Sequence, residues 1–162
     1  MLALLLAGCG ATKTVTRTVT VLLPPETSGV QSYYGHIVSL QRSSAGYLMR
    51  FDPALFLSGV TANAAAAADL HVACAPEKCE AVPNDNYVVD ESNRSYVFRV
   101  PESVRGTVLT SGSNLNGTSI LVAQLAQIVA GKGMRLFEPL ESGVWIRVQI
   151  DTVQTFSQQY RP

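Results

Sequence analysis

Short stretches in which apolar and polar residues alternate constrain the fold of this chain more than any other feature. The clearest one, VWIRVQI, covers residues 144–150. An alternation of period two predicts a β-strand whose aliphatic residues point one way, while Trp145, Arg147 and Gln149 point the other way. Similar stretches, separated by turn residues, give about six short strands in all. Few of them are joined by helical segments, which disfavours a doubly wound parallel sheet.

Residues 33–52, YYGHIVSLQRSSAGYLMRFD, predict a β-hairpin with its turn at RSSAG. Tyr47, Met49 and Phe51 form the apolar side of the return strand, with Arg50 opposite. This hairpin is the predicted start of the folded domain, which we expect to cover residues 33–162.

Two helices are predicted between the strands. Asp52 followed by Pro53 is typical of a helix start and predicts a helical turn over PALFLS. Ser58 then caps a helix over GVTANAAAAADL, and a second helix covers residues 119–131, ending at Gly131. Strands and helices together fit a mainly β (α+β) fold: a small antiparallel OB-like β-barrel of about six strands with two helices.

The first residues, MLALLLAGC, form an apolar run that is too short to span a bilayer, which takes roughly 20 residues. The run resembles the lipobox of bacterial lipoproteins, with Cys9 as the residue that receives the lipid. No Lys or Arg precedes it, so the true start codon stays open. We predict a lipoprotein signal peptide over residues 1–9 and a membrane anchor that does not span the bilayer. The expected location is the outer face of the cell membrane.

Residues 10–32 are rich in threonine and contain two adjacent prolines, which predicts a tether between the lipid and the domain. The Thr/Val alternation in residues 12–21 makes a strand the alternative. The chain as a whole has zero formal net charge and 15% charged residues. Without a strong positive field, nucleic acid is not an expected partner.

The remaining cysteines, Cys74 and Cys79, are close in sequence. Outside the cytoplasm such a pair predicts a disulfide. His71 makes a His-Cys-Cys metal site the weaker interpretation, because no second pair exists to complete four ligands.

The segment EAVPNDNYVVDE, residues 80–91, concentrates oxygen donors around one proline. Calcium prefers such ligands, so a calcium-responsive module centred on Asp85 and Asp90 is one hypothesis. Asn84 and Asp85 are also typical turn residues, and a strand after them would point Asp90 and Glu91 to opposite faces. The turn followed by a strand is the favoured interpretation, and no other cofactor is expected.

Catalytic motifs of the common kinds are absent from the sequence: there is no GxSxG, GxGxxG, GxxxxGKS or HExxH. The histidines are His36 and His71, and His36 lies within an apolar strand, where a histidine is more often a packed residue than a general base. We therefore predict that the protein is not an enzyme.

A binding face is the remaining functional candidate. Trp145 and Arg147 share one face of the clearest strand, and Tyr47 and Tyr87 are expected near them. Aromatic residues beside an arginine are typical of recognition surfaces, here for an envelope protein, a peptide or a cell-wall glycan. The alternative is that Trp145 belongs to the core.

Four segments, YYGHIVSL, RFDPALFLSGVTANAAAAAD, VPNDNYVVDE and VWIRVQIDTVQTFSQQYRP, occur in this order. The order resembles a family of extracytoplasmic lipoprotein-like proteins of Gram-positive, actinobacterial-type bacteria with VPNDYY and C-terminal QQYLP-like motifs. The resemblance covers residues 33–162 and is most specific at 51–52, 57–59, 82–85 and 159–160. It implies a shared fold and a cell-envelope address, and it brings no catalytic residue. The chain departs from the family at its two close cysteines, and at Arg161 where a leucine is usual.

Overall fold

The computed structural model describes residues 20–22, 29–90, 94–111 and 116–161. Within these ranges the protein is mainly β, with nine strands and two helices, which confirms the predicted class. The elements are β1 (Thr20–Leu22), β2 (Val30–Ser43), β3 (Gly46–Ser58), α1 (Gly59–Asp69), β4 (Asn86–Val89), β5 (Arg94–Val100), β6 (Arg105–Val108), β7 (Thr118–Leu121), α2 (Val122–Val129), β8 (Val144–Gln149) and β9 (Thr152–Gln158). Short 3₁₀ turns occur at Pro76–Lys78, Pro83–Asp85 and Leu140–Ser142.

The strands pair in the order β1-β5-β3-β2-β8-β9-β6-β7, and β4 pairs with β3. β5 also pairs with β9, through Arg99 and Thr152, so the pairings β5-β3-β2-β8-β9-β5 form a closed circuit. The circuit is antiparallel except between β5 and β9. The backbone N–H of Arg99 donates to the carbonyl of Asp151 at 2.8 Å, and its guanidinium pairs with the Asp151 carboxylate.

The core lies on one side of these strands. Tyr47, Met49 and Phe51 are buried, as the hairpin pattern predicts. The aliphatic side chains of β8 are buried with them, and the largest other core residues are Phe98, Ile120, Leu125 and Phe156. Ile150 departs from the prediction: it lies in the turn after β8, has a φ of 59° and is 55% exposed.

β3 does not end at Asp52 and Pro53, so the helical turn predicted there is wrong. The strand continues to Ser58 because β2 and β4 supply pairing partners for it. Pairing with β5 ends at Phe51, and pairing with β4 begins at Leu55. Pro53 lies in the interval between them, where its missing N–H removes no hydrogen bond from that side of the strand.

Both helices are present. α1 starts after Ser58 as predicted, but the Ser58 side chain makes no capping hydrogen bond. Ala62 and Ala66 pack inward. α2 is shorter than predicted, since Thr118–Leu121 forms β7 and pairs with β6 instead of joining the helix. The predicted end of α2 is confirmed by the backbone N–H of Gly131, which donates to the carbonyl of Ile128 at 2.9 Å.

Cys74 and Cys79 form the predicted disulfide, with their Cα atoms 5.3 Å apart. The bridge spans the 3₁₀ turn at Pro76–Lys78. It therefore constrains the short connection between α1 and β4.

Only part of the predicted N-terminal organisation falls within the described residues. β1 falls inside the predicted tether 10–32 and pairs in parallel with the start of β5, and β2 begins at Val30, shortly before the predicted domain start. Cys9 and the lipobox lie outside the described residues. Among the described residues, neither helix has the length and apolar character needed to cross a membrane.

Candidate functional site

A groove of about 800 Å³ lies beside β2 and the segment that follows α2. One wall is the backbone and side chains of β2 at residues 36–38, and the other is formed by the end of α2 and by residues 136–141. Most of the lining is aliphatic or aromatic, and its titratable residues are His36, Asp90 and Glu141. The groove can therefore make both apolar and charged contacts.

The edge of β2 is open along this groove. Register pairs between β2 and β8 end at Gly35, whereas pairs between β2 and β3 continue to Ser43. From His36 onward, β2 thus has a described strand partner on one side only. A β-bulge lies here, because the register with β3 shifts between Ile37 and Ser39. The residue in the bulge, Val38, is 52% exposed and lines the groove.

Around His36, titratable groups come together from β2, from β3 and from the residue that follows β4. His36 Nε2 lies 3.8 Å from Asp90 Oδ2, and His36 is the register partner of Asp52 on β3. Burial raises the pKa of Asp52 and the Asp90 carboxylate raises it further, while His36 and Arg50 oppose the rise. Among the described residues, Asp52 Oδ1 is buried and accepts no hydrogen bond. The cluster is therefore rich in acceptors and poor in donors.

The sequence pattern does not predict this groove. The segment 136–141 reads LFEPLE and has neither helical nor strand periodicity, so its local sequence indicates a loop. Phe137, which is 55% exposed, stacks against Tyr160 at 6.1 Å between ring centroids. The feature of the sequence that could have indicated the groove is a large aromatic residue in a segment without periodicity. Such residues occur at binding sites as well as in ordinary loops.

The predicted binding residue Trp145 lies on the outer face of β8 and is half-buried. Its ring packs against the rings of Tyr34 and Phe56, with centroids 5.2 Å and 5.8 Å away. Its Nε1–H donates to Gln159 Oε1 at 2.9 Å. Arg147 shares this outer face and is exposed. Trp145 is therefore neither in the main core nor freely exposed, but covered by a second aromatic cluster outside it.

The other two residues of the predicted face lie elsewhere. Tyr47 is 7% exposed and belongs to the main core, with its hydroxyl accepting from Arg42 Nη1 at 3.1 Å. Tyr87 lies on β4 and donates to Asp69 Oδ2 at 2.6 Å. The structure thus does not bring Tyr47 onto the surface that carries Trp145. The alternation of Tyr47 with buried neighbours on β3 already indicated a core position.

The two predicted metal ligands have different partners. Asp85 Oδ1 accepts from the backbone N–H of Gly59 at 3.1 Å, at the start of α1, whereas Asp90 faces His36. Across the described residues, no three His, Cys, Asp or Glu side chains are grouped so that they could hold a metal ion. The calcium hypothesis stays a prediction.

The segment around Asn84 forms the predicted turn and strand. Asn84 and Asp85 both have positive φ, 59° and 55°, a conformation that Asn and Asp adopt more readily than most residues. β4 begins immediately after them. The backbone N–H of Val82 donates to Asn63 Oδ1 at 2.9 Å, so α1 holds the turn at two points.

Comparison with known proteins does not assign this chain to a family. No protein-family model matches the chain, and neither a curated protein nor a solved structure matches it. The resemblance to the extracytoplasmic family therefore stays a prediction.

Proposed function

We propose that the protein is a lipid-anchored, non-enzymatic binding module of the cell envelope that holds an extended peptide in the groove beside β2. The observation that carries the proposal is the open edge of β2 from His36 onward, which lines a mostly apolar groove. A peptide can add to such an edge through its main chain, with alternate side chains entering the groove. A glycan has no peptide main chain to pair with such an edge, and a folded protein pairs with it only through an exposed strand of its own. An extended peptide is therefore the favoured ligand among the three that the sequence suggests.

Charge and reactivity support this choice. The lining of the groove includes the carboxylates of Asp90 and Glu141, which suits a basic residue in the ligand. The residues that line the described groove include no Ser, Thr or Cys that could act as a nucleophile. A binding role requires no nucleophile.

A direct test uses a short peptide of alternating valine and lysine, acetylated and amidated at its ends. We expect it to bind and to shift the amide resonances of residues 36–43. Val38→Arg places a cation in the groove and should weaken binding at least tenfold, about 1.4 kcal/mol. Val60→Arg is the matched control, because Val60 is 54% exposed on α1 and lies outside the groove. Equal binding by both variants, or shifts confined to other residues, would contradict the proposal.

We also propose that the closed circuit of strands is an OB-like barrel. Taken in chain order, its strands are β2, β3, β5, β8 and β9, and they pair first-second-third-fifth-fourth-first, with only the third and fifth parallel. The helix α2 lies between the third and fourth strands. This order and helix position support the five-stranded OB architecture.

The envelope location is part of the proposal. It is supported by the lipobox pattern before Cys9 and by the disulfide between Cys74 and Cys79, since disulfides persist mainly in oxidising compartments. In this interpretation, residues 1–9 are the signal peptide and lipobox, and the domain lies outside the membrane on its tether.

The alternative is a cation-responsive structural module that uses the acidic segment 80–91, which contains Asp85 and Asp90. Thermal melts in calcium and in EDTA separate the two hypotheses. For a peptide-binding module we expect the same Tm in both. A higher Tm in calcium that Asp85→Asn abolishes would favour the alternative.

A further inference from the structure

A second cavity lies outside the peptide groove, and two of the sequence motifs contribute residues to its lining. The turn that contains Pro83 and the C-terminal segment that contains Arg161 are far apart in the chain, yet both line a cavity of about 510 Å³. Its polar lining includes Asn84, Asn86, Tyr87 and Arg161, and its apolar lining includes Leu70 and Pro83. The cavity therefore combines a cation, amides and a phenol with apolar surface.

The chain holds Arg161 in place through its backbone. Its N–H donates to Glu138 Oε2 at 3.1 Å, and the N–H of Gln159 donates to the carbonyl of Gly143 at 3.1 Å. The guanidinium lies beside the hydroxyl of Tyr34, where it opposes the rise in the pKa of Tyr34 that burial causes. The tail is thus fixed and its side chain is held against a buried aromatic residue.

The guanidinium of Arg161 is not fully satisfied. Its Nε is buried and has no hydrogen-bond partner among the described residues, and Arg161 takes part in none of the ion pairs found there. Two carboxylates near the pocket are already engaged: Asp69 accepts from Tyr87, and Asp85 accepts from the backbone of Gly59. Glu138 lies close by, but its carboxylate accepts from the backbone N–H of Arg161 and forms no ion pair with the guanidinium among the described residues. Partly burying this cation is costly, so an anion bound here would offset that cost.

We propose that this pocket binds a carboxylate that carries a short apolar group, such as the free C-terminus of a peptide that ends in a small apolar residue. The guanidinium fork suits the two oxygens of a carboxylate. The apolar residues of the lining, Leu70 and Pro83, can contact the side chain next to the carboxylate. This site is separate from the groove beside β2 and does not depend on it.

The test compares N-acetyl-alanyl-alanine with its C-terminal amide on the full chain by isothermal titration. We expect saturable binding of the acid and at least tenfold weaker binding of the amide. Arg161→Gln should lower affinity for the acid at least tenfold, and Arg161→Lys should recover part of it. Arg105→Gln is the matched control, because it removes an exposed arginine on β6 and should leave binding unchanged.

Equal binding of the acid and the amide would overturn the proposal, and so would unchanged binding by a folded Arg161→Gln. If that variant does not fold by circular dichroism, the comparison of acid and amide on the unaltered protein still decides. Val38→Arg separates this site from the groove, since it should weaken the amidated valine–lysine peptide and leave the acid unaffected.

Discussion

At the scale of single residues, Trp145 shows how far alternation along a strand predicts a side chain's environment. Its position on the face of β8 opposite to the aliphatic residues follows from the sequence. The extent of its burial does not, because Tyr34, Phe56 and Gln159 come from other parts of the chain to cover it. Gly143 leaves the space that the Tyr34 side chain occupies in this cluster. A Cβ there would lie 2.1 Å from the Tyr34 hydroxyl, which donates to the carbonyl of Ser142 at 2.6 Å.

We therefore expect Gly143→Ala to displace the Tyr34 hydroxyl and loosen the cluster around Trp145. Gly131→Ala is the matched control, since Gly131 also has a positive φ but a Cβ added there would meet nothing within 4 Å. The loss in free energy of unfolding should be about 1–3 kcal/mol larger at position 143. Urea melts followed by the fluorescence of Trp145 measure both effects. Equal losses, with unchanged fluorescence, would contradict this role of Gly143.

Asp52 gives a prediction about pH. Burial is the main cause of its raised pKa, so the folded state holds the proton more tightly than the unfolded state. Stability then falls as pH rises from the ordinary value of 3.8 through the higher folded value. Asp52→Asn removes the ionised carboxylate and should raise Tm near neutral pH, with little gain below about pH 3. Calorimetry at both pH values tests this, and a gain that does not change with pH would refute it.

At the scale of elements, β3 is the strand whose local sequence is most misleading. Asp52 and Pro53 have the chemistry of a helix start, yet β2 and β4 pair with the residues around them. The same effect shortens α2, because β6 pairs with Thr118–Leu121. In both places pairing with another strand outweighs a local helix preference.

The connection between α1 and β4 behaves differently, since its disulfide links residues that are close in sequence. The loop between Cys74 and Cys79 is short, so the loss of chain entropy that it imposes on the unfolded state is small. Replacing both cysteines with serine should lower the free energy of unfolding by about 2 kcal/mol or less and leave the fold intact. Urea melts of the double variant, compared with the oxidised protein, measure this. Failure of the variant to fold would show that the bridge does more than constrain its loop.

At the scale of the whole molecule, the closing pair between β5 and β9 turns a row of strands into a circuit. Arg99 is central to this contact, through its backbone and through its ion pair with Asp151. The groove and the Arg161 pocket both lie outside the main core, next to segments that connect the strands. The strands thus position these two cavities, and the connecting segments complete them.

The proposed anchor also concerns the molecule as a whole. If Cys9 carries the lipid, Cys9→Ser should move the protein from the membrane fraction to the soluble fraction, because the remaining chain lacks the anchor. Fractionation followed by immunoblotting measures the distribution, with Cys74→Ser as the control that removes a different cysteine. An unchanged membrane fraction for Cys9→Ser would refute the anchor.

The features that the sequence alone determined depend on neighbours along the chain. The hairpin of β2 and β3, the disulfide of Cys74 and Cys79, the turn at Asn84 and the end of α2 at Gly131 all follow from turn residues, spacing or alternation within a few positions. The mainly β class follows from the same local patterns, repeated along the chain.

Only the tertiary structure decided where the groove beside β2 and the pocket at Arg161 lie. The open edge at Val38 exists because β8 stops pairing with β2 at Gly35, and the pocket at Arg161 exists because the C-terminal tail packs beside the turn before β4. Each depends on segments separated by many residues in sequence. A local pattern states which residues prefer to be buried or extended, but only the packing of distant segments determines which edges and charges remain without partners.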